Sequence, residues 1–478
     1  MLNEFDAVVV GSGPNGLAAA ITLQQQGLDV LIVEGGQTIG GGLRSKELTL
    51  PGFIHDVCAT VHPLAIGSTF FNRLPLKDFG LSFSFSESPL AHPIENTQAV
   101  ILHRDLDQMT DELGPDAVRY RQSLESLVRH WDELSTDLLG PLRWPKNPAL
   151  LARLGPRFLR SADQTARRFQ SDRTRALFAG LAAHGMLPLH YLTTSAIGWV
   201  LAGLAHRVGW PVIHGGSQQL ANALGKYFKS LGGQIVTEMP VTDVRELPAR
   251  DYLLLDLTPQ QLLKLKGLDF SAGYIRQLER YRYGMGVFKM DWALSEPIPF
   301  RDPRCRSAAT IHIGGTFHEI KQSEYDIHAG RGSEKPYIIL VQPSLSDPSR
   351  APAGGHTAWA YCHVPHGSLL DMSAIIERQI ERFAPGFKEV ILVRSTMNTS
   401  QMEQYNPNYV GGDINGGQMD WRQLFTRPVR SLVPYRTSDP NVYLTSSSTP
   451  PGGGVHGLCG YHSARTLLRD HLNQKIDF

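Results

Sequence analysis

Cysteine is scarce and scattered in this sequence: Cys58, Cys305, Cys362 and Cys459 form no CxxC pair and no zinc-ligand spacing. Neither a disulfide framework nor a metal site is expected. Net charge is nearly absent as well, with 46 basic residues against 45 acidic ones, so no overall field gathers nucleic acid or an anionic membrane. No nucleic-acid partner is expected. Long apolar runs are missing too: the most apolar later stretch, Ala196 to Ala205, is ten residues long and is followed by His206 and Arg207, well short of the ~20 residues of a bilayer span. The opening MLNEFDAVVV lacks the basic start and separate apolar block of a secretion signal, which predicts a cytoplasmic protein. There is also no GxSxG, no HExxH and no cysteine and histidine pairing that stands out, so nothing points to a protein nucleophile.

What the chain does have is length, apolar content and glycine. Its 478 residues, 42% of them hydrophobic, can bury a large core and suggest two or three interleaved domains. Ala7 to Val10 reads as a short buried strand that runs into Gly11-Ser12-Gly13-Pro14-Asn15-Gly16 and then a helical run through Ala20, Leu23 and Gln26. Gly11 permits the turn, Gly13 lets the backbone approach a pyrophosphate at the helix N-terminus, and Gly16 allows close packing of helix on strand. Gly27 ends the helix, Val30 to Val33 reads as the second strand, and Glu34-Gly35 closes it with a carboxylate able to accept both ribose hydroxyls. The pattern is a dinucleotide-binding βαβ unit. A second cluster, Gly40-Gly41-Gly42-Leu43-Arg44-Ser45, favours FAD over NAD, because it suggests backbone packed around a longer cofactor. On the residues alone the cluster also reads as a glycine-rich hairpin, with Arg44 either a phosphate partner or a solvated cation.

The run from Gly11 through Glu34 to Gly42 resembles the flavin-containing amine oxidase and phytoene desaturase superfamily. Tyr443 to Ala464, YLTSSSTPPGGGVHGLCGYHSA, is similar to the closing flavin motif of phytoene dehydrogenase-related proteins, which implies that Gly453, Gly454 and Val455 meet the flavin ring. His214-Gly215-Gly216-Ser217 through Val241 resembles the family's middle cofactor segment, with Val241 near the adenine, and Tyr409 to Ile414 resembles another family block. Within the superfamily the sequence is most similar to a bacterial branch related to phytoene desaturase and to pyridine nucleotide-disulfide oxidoreductase domain-containing protein 2. It departs from the common pattern in having Gly42 where relatives often carry arginine, and Ser446-Ser447 and Pro450 where many carry a Gly-Ala pair and a histidine. The closing segment also lacks the cysteine that some amine oxidases use for covalent attachment, so non-covalent FAD is expected.

The resemblance implies an α/β fold: a Rossmann-type FAD-binding domain assembled from discontinuous segments, residues 1–100, 212–290 and 400–478, with an α+β substrate domain, a sheet covered by helices, formed by 101–211 and 291–399. Pro115 to Leu139 carries Val118, Leu124, Leu127, Val128, Trp131 and Leu138 at helical spacing, and 100–210 reads as mainly helical. Tyr337 to Gln342 and His356 to Val364 read as strands, and Ser373 to Phe383 as an amphipathic helix. Arg153 to Arg175 holds seven arginines with Leu154, Phe158, Leu159 and Phe169. It reads either as a solvated helical face or as a peripheral membrane contact, the former favoured because the apolar residues form no sustained stripe.

A flavin performs electron transfer itself, taking a hydride at N5, so the protein need only bind, orient and polarise. His62, in the segment that relatives pass beside the flavin, is the first candidate for a catalytic polar group, as a proton acceptor or as a histidine hydrogen-bonded to backbone. His456 is the second, as a cavity residue or a helix-start contact. His462 and Asp413 rank below them. The expected activity is a dehydrogenase or desaturase, or a saturase in reverse, acting on CH-CH bonds of an apolar, isoprenoid-like small molecule. The alternatives are an amine oxidase-type enzyme and a non-catalytic flavin-bearing chaperone or assembly factor.

Overall fold

The computed structural model describes residues 4–424 and 426–474; residues 1–3, on which part of the no-leader reading rests, lie outside them. The first strand, Phe5–Val10, is buried on both faces apart from Asp6, as expected of a parallel strand with helices on either side. It pairs with Val30–Val33 on one flank and with Arg250–Leu255 on the other. Gln234–Val236 and Val442–Leu444 complete a five-stranded, all-parallel sheet whose members come from three remote stretches of chain. This is the Rossmann-type sheet of discontinuous segments that the sequence predicts.

One face of this sheet is covered by Pro14–Gln24, Gln218–Ser230 and the closing helix Leu458–His471. The first and last of these meet almost backbone to backbone. A Cβ added to Gly460 would sit 1.8 Å from the Asn15 carbonyl oxygen, so no other residue fits that crossing without moving a helix.

The second sheet has seven strands, in the order Ile391–Met397, Gly286–Leu294, His356–Val364, Ile338–Val341, Ala308–Ile313, Ser88–His92 and Val100–Leu102. Every pair is antiparallel except Ala308–Ile313 with Ser88–His92. Ser88–His92 and Val100–Leu102 lie here, although the sequence reading carries the cofactor segment to residue 100. Ser88–His92 is buried throughout, the state of a central strand. Helices cover this sheet, as expected: Ser373–Glu381 packs Ile376 and Ile380 against it, and the helices of 109–207 pack on it from another side.

The helix expected over Pro115 to Leu139 is two helices, Ala117–Arg129 and Trp131–Leu138, broken at His130. The break turns Trp131 inward, where its indole N–H donates to the Gly67 carbonyl at 3.0 Å. Val118, counted on the inner face from its spacing, is 68% exposed; Tyr120, Leu124 and Leu127 form the inner stripe instead. In the arginine-rich stretch, Leu154, Phe158 and Phe169 are buried in the core and Leu159 is exposed, which fits a solvated face. Among the described residues no helix is long and apolar enough to cross a membrane.

Histidines are concentrated in the interior. Burial holds His55, His184 and His462 down to about 3, and His62, His92, His206 and His456 to about 4, against an ordinary 6.5. Each is neutral when folded and takes a proton more readily when unfolded, so its contribution is complete above pH 6.5 and is lost as pH falls toward the folded value. Thermal melts should therefore show a progressive loss of stability between about pH 6.5 and 4. A melting temperature that stays level across that window would contradict this.

Candidate functional site

The glycine turn and the second glycine cluster are one structure. Gly11 adopts φ +99°, a left-handed conformation for which glycine is suited, and Gly13 caps the first helix with Pro14 at its first position. A Cβ on Gly16 would lie 2.1 Å from the Gly11 carbonyl oxygen, which explains the third glycine of the motif. The second cluster rests on this turn: Gly40 donates its N–H to the Ser12 carbonyl at 3.0 Å, and a Cβ on Gly41 would be 3.1 Å from Gly13 Cα. From above, Tyr405 donates its hydroxyl to the Gly41 carbonyl at 2.6 Å.

Glu34 stands at the end of the second strand, as expected. Its Oε2 accepts from the Ser12 N–H at 3.0 Å and from the Ser12 hydroxyl, and its Oε1 from the Gly36 N–H at 2.7 Å. Arg44 is not a solvated cation: it is buried, its guanidinium donates to Glu34 Oε1 at 3.0 Å and to the Thr38 carbonyl at 2.7 Å, and it lines the cavity described below. Opposite the turn lies Asp256, just beyond Arg250–Leu255, where its Oδ2 accepts the Gly16 N–H at 3.1 Å.

These groups border a cavity of about 870 Å³, within the roughly 300–1,000 Å³ of ligand sites. Gly11, Gly13, Pro14, Asn15, Glu34, Gly35, Gly41, Gly42, Arg44 and Val241 line one part of it, with Gly454 and Val455 beside Ser446 and Ser447. The cavity continues into a lobe walled by Leu201, Trp210, Ile339, Val341, Trp359 and Tyr361, with His184 and Thr310. His62 lines the cavity too. The fit to a dinucleotide is good: a glycine cradle at a helix N-terminus, a carboxylate at the end of the second strand, and an unpartnered, buried Asn15 Oδ1 in the wall.

His62 makes a side-chain contact, not the backbone contact that was the alternative. Its Nε2 lies 2.7 Å from Ser217 Oγ, and that hydroxyl donates to the Ala59 carbonyl at 2.6 Å. With the serine proton committed, His62 must donate from Nε2, which leaves Nδ1 as an unpartnered acceptor. A buried network fixes this arrangement. Asp56 accepts the Ser217 N–H at 2.8 Å and pairs with Arg350, which also holds Asp347 at 3.1 Å and the Ile54 carbonyl. Burial alone would raise the Asp56 carboxyl; Arg350 and the hydroxyls of Ser45 and Thr60 outweigh it and hold it at about 2.

His456 is a correction. It is not among the cavity-lining residues, its Nδ1 accepts the Leu458 N–H at 3.0 Å, and its Nε2 lies 3.2 Å from the Gly452 carbonyl. Both nitrogens serve the turn before the closing helix, the helix-start alternative. Gly16, Gly40 and Gly453 also stand back from the cavity and act through packing: a Cβ on Gly40 would meet Ala221 at 2.9 Å, and one on Gly453 would meet Asn415 Oδ1 at 2.8 Å. Asp413 ties down its own loop through the N–H groups of Gly284, Asn415 and Gly417. His462 contacts the Leu139 carbonyl.

Residues 9–73 match the family model of the NAD(P)-binding Rossmann-like domain. Over 98% of its length the chain is 26% identical to pyridine nucleotide-disulfide oxidoreductase domain-containing protein 2 of Rattus norvegicus, covering 94% of that protein. It is 25% identical to the lycopene-forming phytoene desaturase of Pseudescherichia vulneris, covering 96% of this chain and 98% of the relative. The chain is a homologue of both proteins. Among solved structures, cyclohexylamine oxidase from Brevibacterium oxydans superposes with a TM-score of 0.61 over 99% of this chain and all of that one, at 14% identity, a likeness of fold. The resemblance read from the glycine motifs therefore extends along nearly the whole chain.

Sequence reasoning missed Asp256, Arg350 and the segment Gln404 to Asn408 that lines the cavity above the second cluster. Asp256 carried a signal, an acid closing the apolar run Leu253-Leu254-Leu255. Arg350, in a proline-rich loop, carried none. Because Arg350 neutralises two buried carboxylates, Arg350→Ala should cost roughly 3–5 kcal/mol in urea unfolding; a loss below about 1 kcal/mol would put the network in the class of surface pairs.

Proposed function

We infer that this chain is an FAD-dependent oxidoreductase whose cavity receives an apolar substrate in its second lobe, oxidised or reduced at adjacent carbons. The observation that carries this reading is the continuity of one cavity from the glycine cradle to walls of Leu201, Trp210, Ile339, Val341, Trp359 and Tyr361. When bound, FAD supplies the two-electron acceptor for hydride removal. The protein's part is to seat the diphosphate on the first helix, the ribose near Glu34 and the adenine near Val241, with Gly454 and Val455 against the ring system. His62, neutral and with Nδ1 unpartnered, is the group in the wall suited to accept a substrate proton.

The segments that build the five-stranded sheet would form the cofactor domain, and the helices of 109–207 with the seven-stranded sheet would form the substrate domain. The desaturase homologue supports an isoprenoid-like substrate. An amine substrate, the reading favoured by the cyclohexylamine oxidase fold, is less well matched: the carboxylates lining the cavity, Glu34 and Asp256, both lie at the cofactor end.

Anaerobic mixing of the FAD-loaded protein with apolar isoprenoids and, separately, with primary amines distinguishes these readings. Bleaching of the flavin by an isoprenoid is expected; bleaching by amines alone would move the protein to the amine oxidases, and no bleaching by either class would support a non-catalytic flavin carrier. His62→Phe should keep its flavin and be reduced about a hundredfold more slowly. An unchanged rate would remove His62 from the chemistry.

A further inference from the structure

The diphosphate cradle contains an anion of its own. Asp256 is buried against the glycine turn: its Oδ2 takes the Gly16 N–H and would lie 2.8 Å from a Cβ on Gly13. Those are the residues at which a dinucleotide diphosphate meets the helix N-terminus. Among the described residues, Asp256 Oδ1 accepts no hydrogen bond, although the residue lines the cavity. Asn15 Oδ1, buried in the same wall, is likewise unpartnered.

Among the described residues no cation is paired with Asp256. Glu34, from the second strand, adds like charge, and its arginine, Arg44, is committed to it and to the Thr38 carbonyl. From the closing helix the facing group is Cys459, whose thiol burial pushes up to about 11 and which is therefore neutral. From the segment above, Asn408 donates to the Asp256 carbonyl and carries no charge. Lys264, at the end of the helix Pro259–Lys264, lines the cavity but is exposed. A diphosphate arriving here would face an unneutralised carboxylate at hydrogen-bonding range, an arrangement that one added proton converts from repulsion to attraction.

We propose, resting on the FAD reading above, that Asp256 engages the diphosphate as a neutral acid, donating a hydrogen bond from Oδ1 to a phosphate oxygen, so that cofactor capture takes up one proton. The balance is simple: the proton comes from solvent, no covalent bond to the cofactor forms, and release returns the proton. The protein interior prepares the acid form, since burial already raises the Asp256 carboxyl to about 7 before any ligand arrives. An O–H to phosphate bond is of the charge-assisted kind, stronger than a neutral one. The cradle is thereby selective for a cofactor held in a slightly acidic to neutral solution, and it loosens on the alkaline side.

The test is titration of full-length, flavin-stripped protein with FAD from pH 6 to 9, followed by quenching of flavin fluorescence. Affinity should be level below about pH 7 and fall about tenfold per pH unit above it. Asp256→Asn, which keeps the shape and stays neutral, should bind FAD with no slope over the same range. Calorimetry of the unaltered protein in two buffers of different ionisation enthalpy should register uptake of close to one proton at pH 8, and this holds whether or not the variant folds. A pH-independent affinity with no proton uptake, or an unchanged slope in Asp256→Asn, would overturn the role of Asp256 while leaving FAD binding intact. Failure to bind FAD at any pH would overturn the cofactor reading itself, and this inference with it.

Discussion

The site depends on one buried cation. Arg350 sits fully enclosed between Asp56 and Asp347, and those two carboxylates together hold the stretch from His214 to Ser217. Asp56 belongs to the segment that leads to His62, Ser217 N–H hangs on Asp56, and Gly215 N–H and His214 hang on Asp347. A guanidinium is suited to this, because its planar fork can serve several acceptors at once and it does not lose its charge. Removing water from one cation and two anions is costly, and the cost is offset only while every partner stays in place. The arrangement therefore fixes position more than it adds stability. The orientation of His62 follows from it, through Ser217, without any direct contact between His62 and the arginine.

What could be read from the sequence is what local steric rules govern. Gly11, Gly13 and Gly16 announce themselves because each answers a backbone demand within a few residues, and Glu34 because a strand end and a helix end fix where it must lie. The strands His356–Val364 and Ile338–Val341 were visible as apolar runs of the right length. The helix break at His130 was not, because the pull on Trp131 comes from Gly67, far away in sequence. Val118 misled for a related reason: helical spacing gives a periodicity but not which of two neighbouring stripes the core will accept.

The site followed the same division. His62 was placed beside the cavity by resemblance, yet its hydrogen-bonding state could be settled only by a serine 155 residues away. His456 was the second candidate by sequence, and the turn took both its nitrogens. Asp256 and Arg350 owe their importance to what the fold brings against them. An acid at the end of a strand and an arginine in a loop are ordinary in sequence, and their meaning is entirely tertiary.

The central strand of the Rossmann sheet, Phe5–Val10, leaves the ribosome long before one of its two neighbours, Arg250–Leu255, has been translated, and the edge strand Val442–Leu444 comes last of all. A nascent chain must thus carry an apolar half-sheet with an open hydrogen-bonding edge through most of synthesis, which is the condition that invites intermolecular strand pairing. Such a topology makes the closing strand and helix, Val442–Leu444 and Leu458–His471, rather than the opening turn, the elements on which completion of the glycine cradle waits.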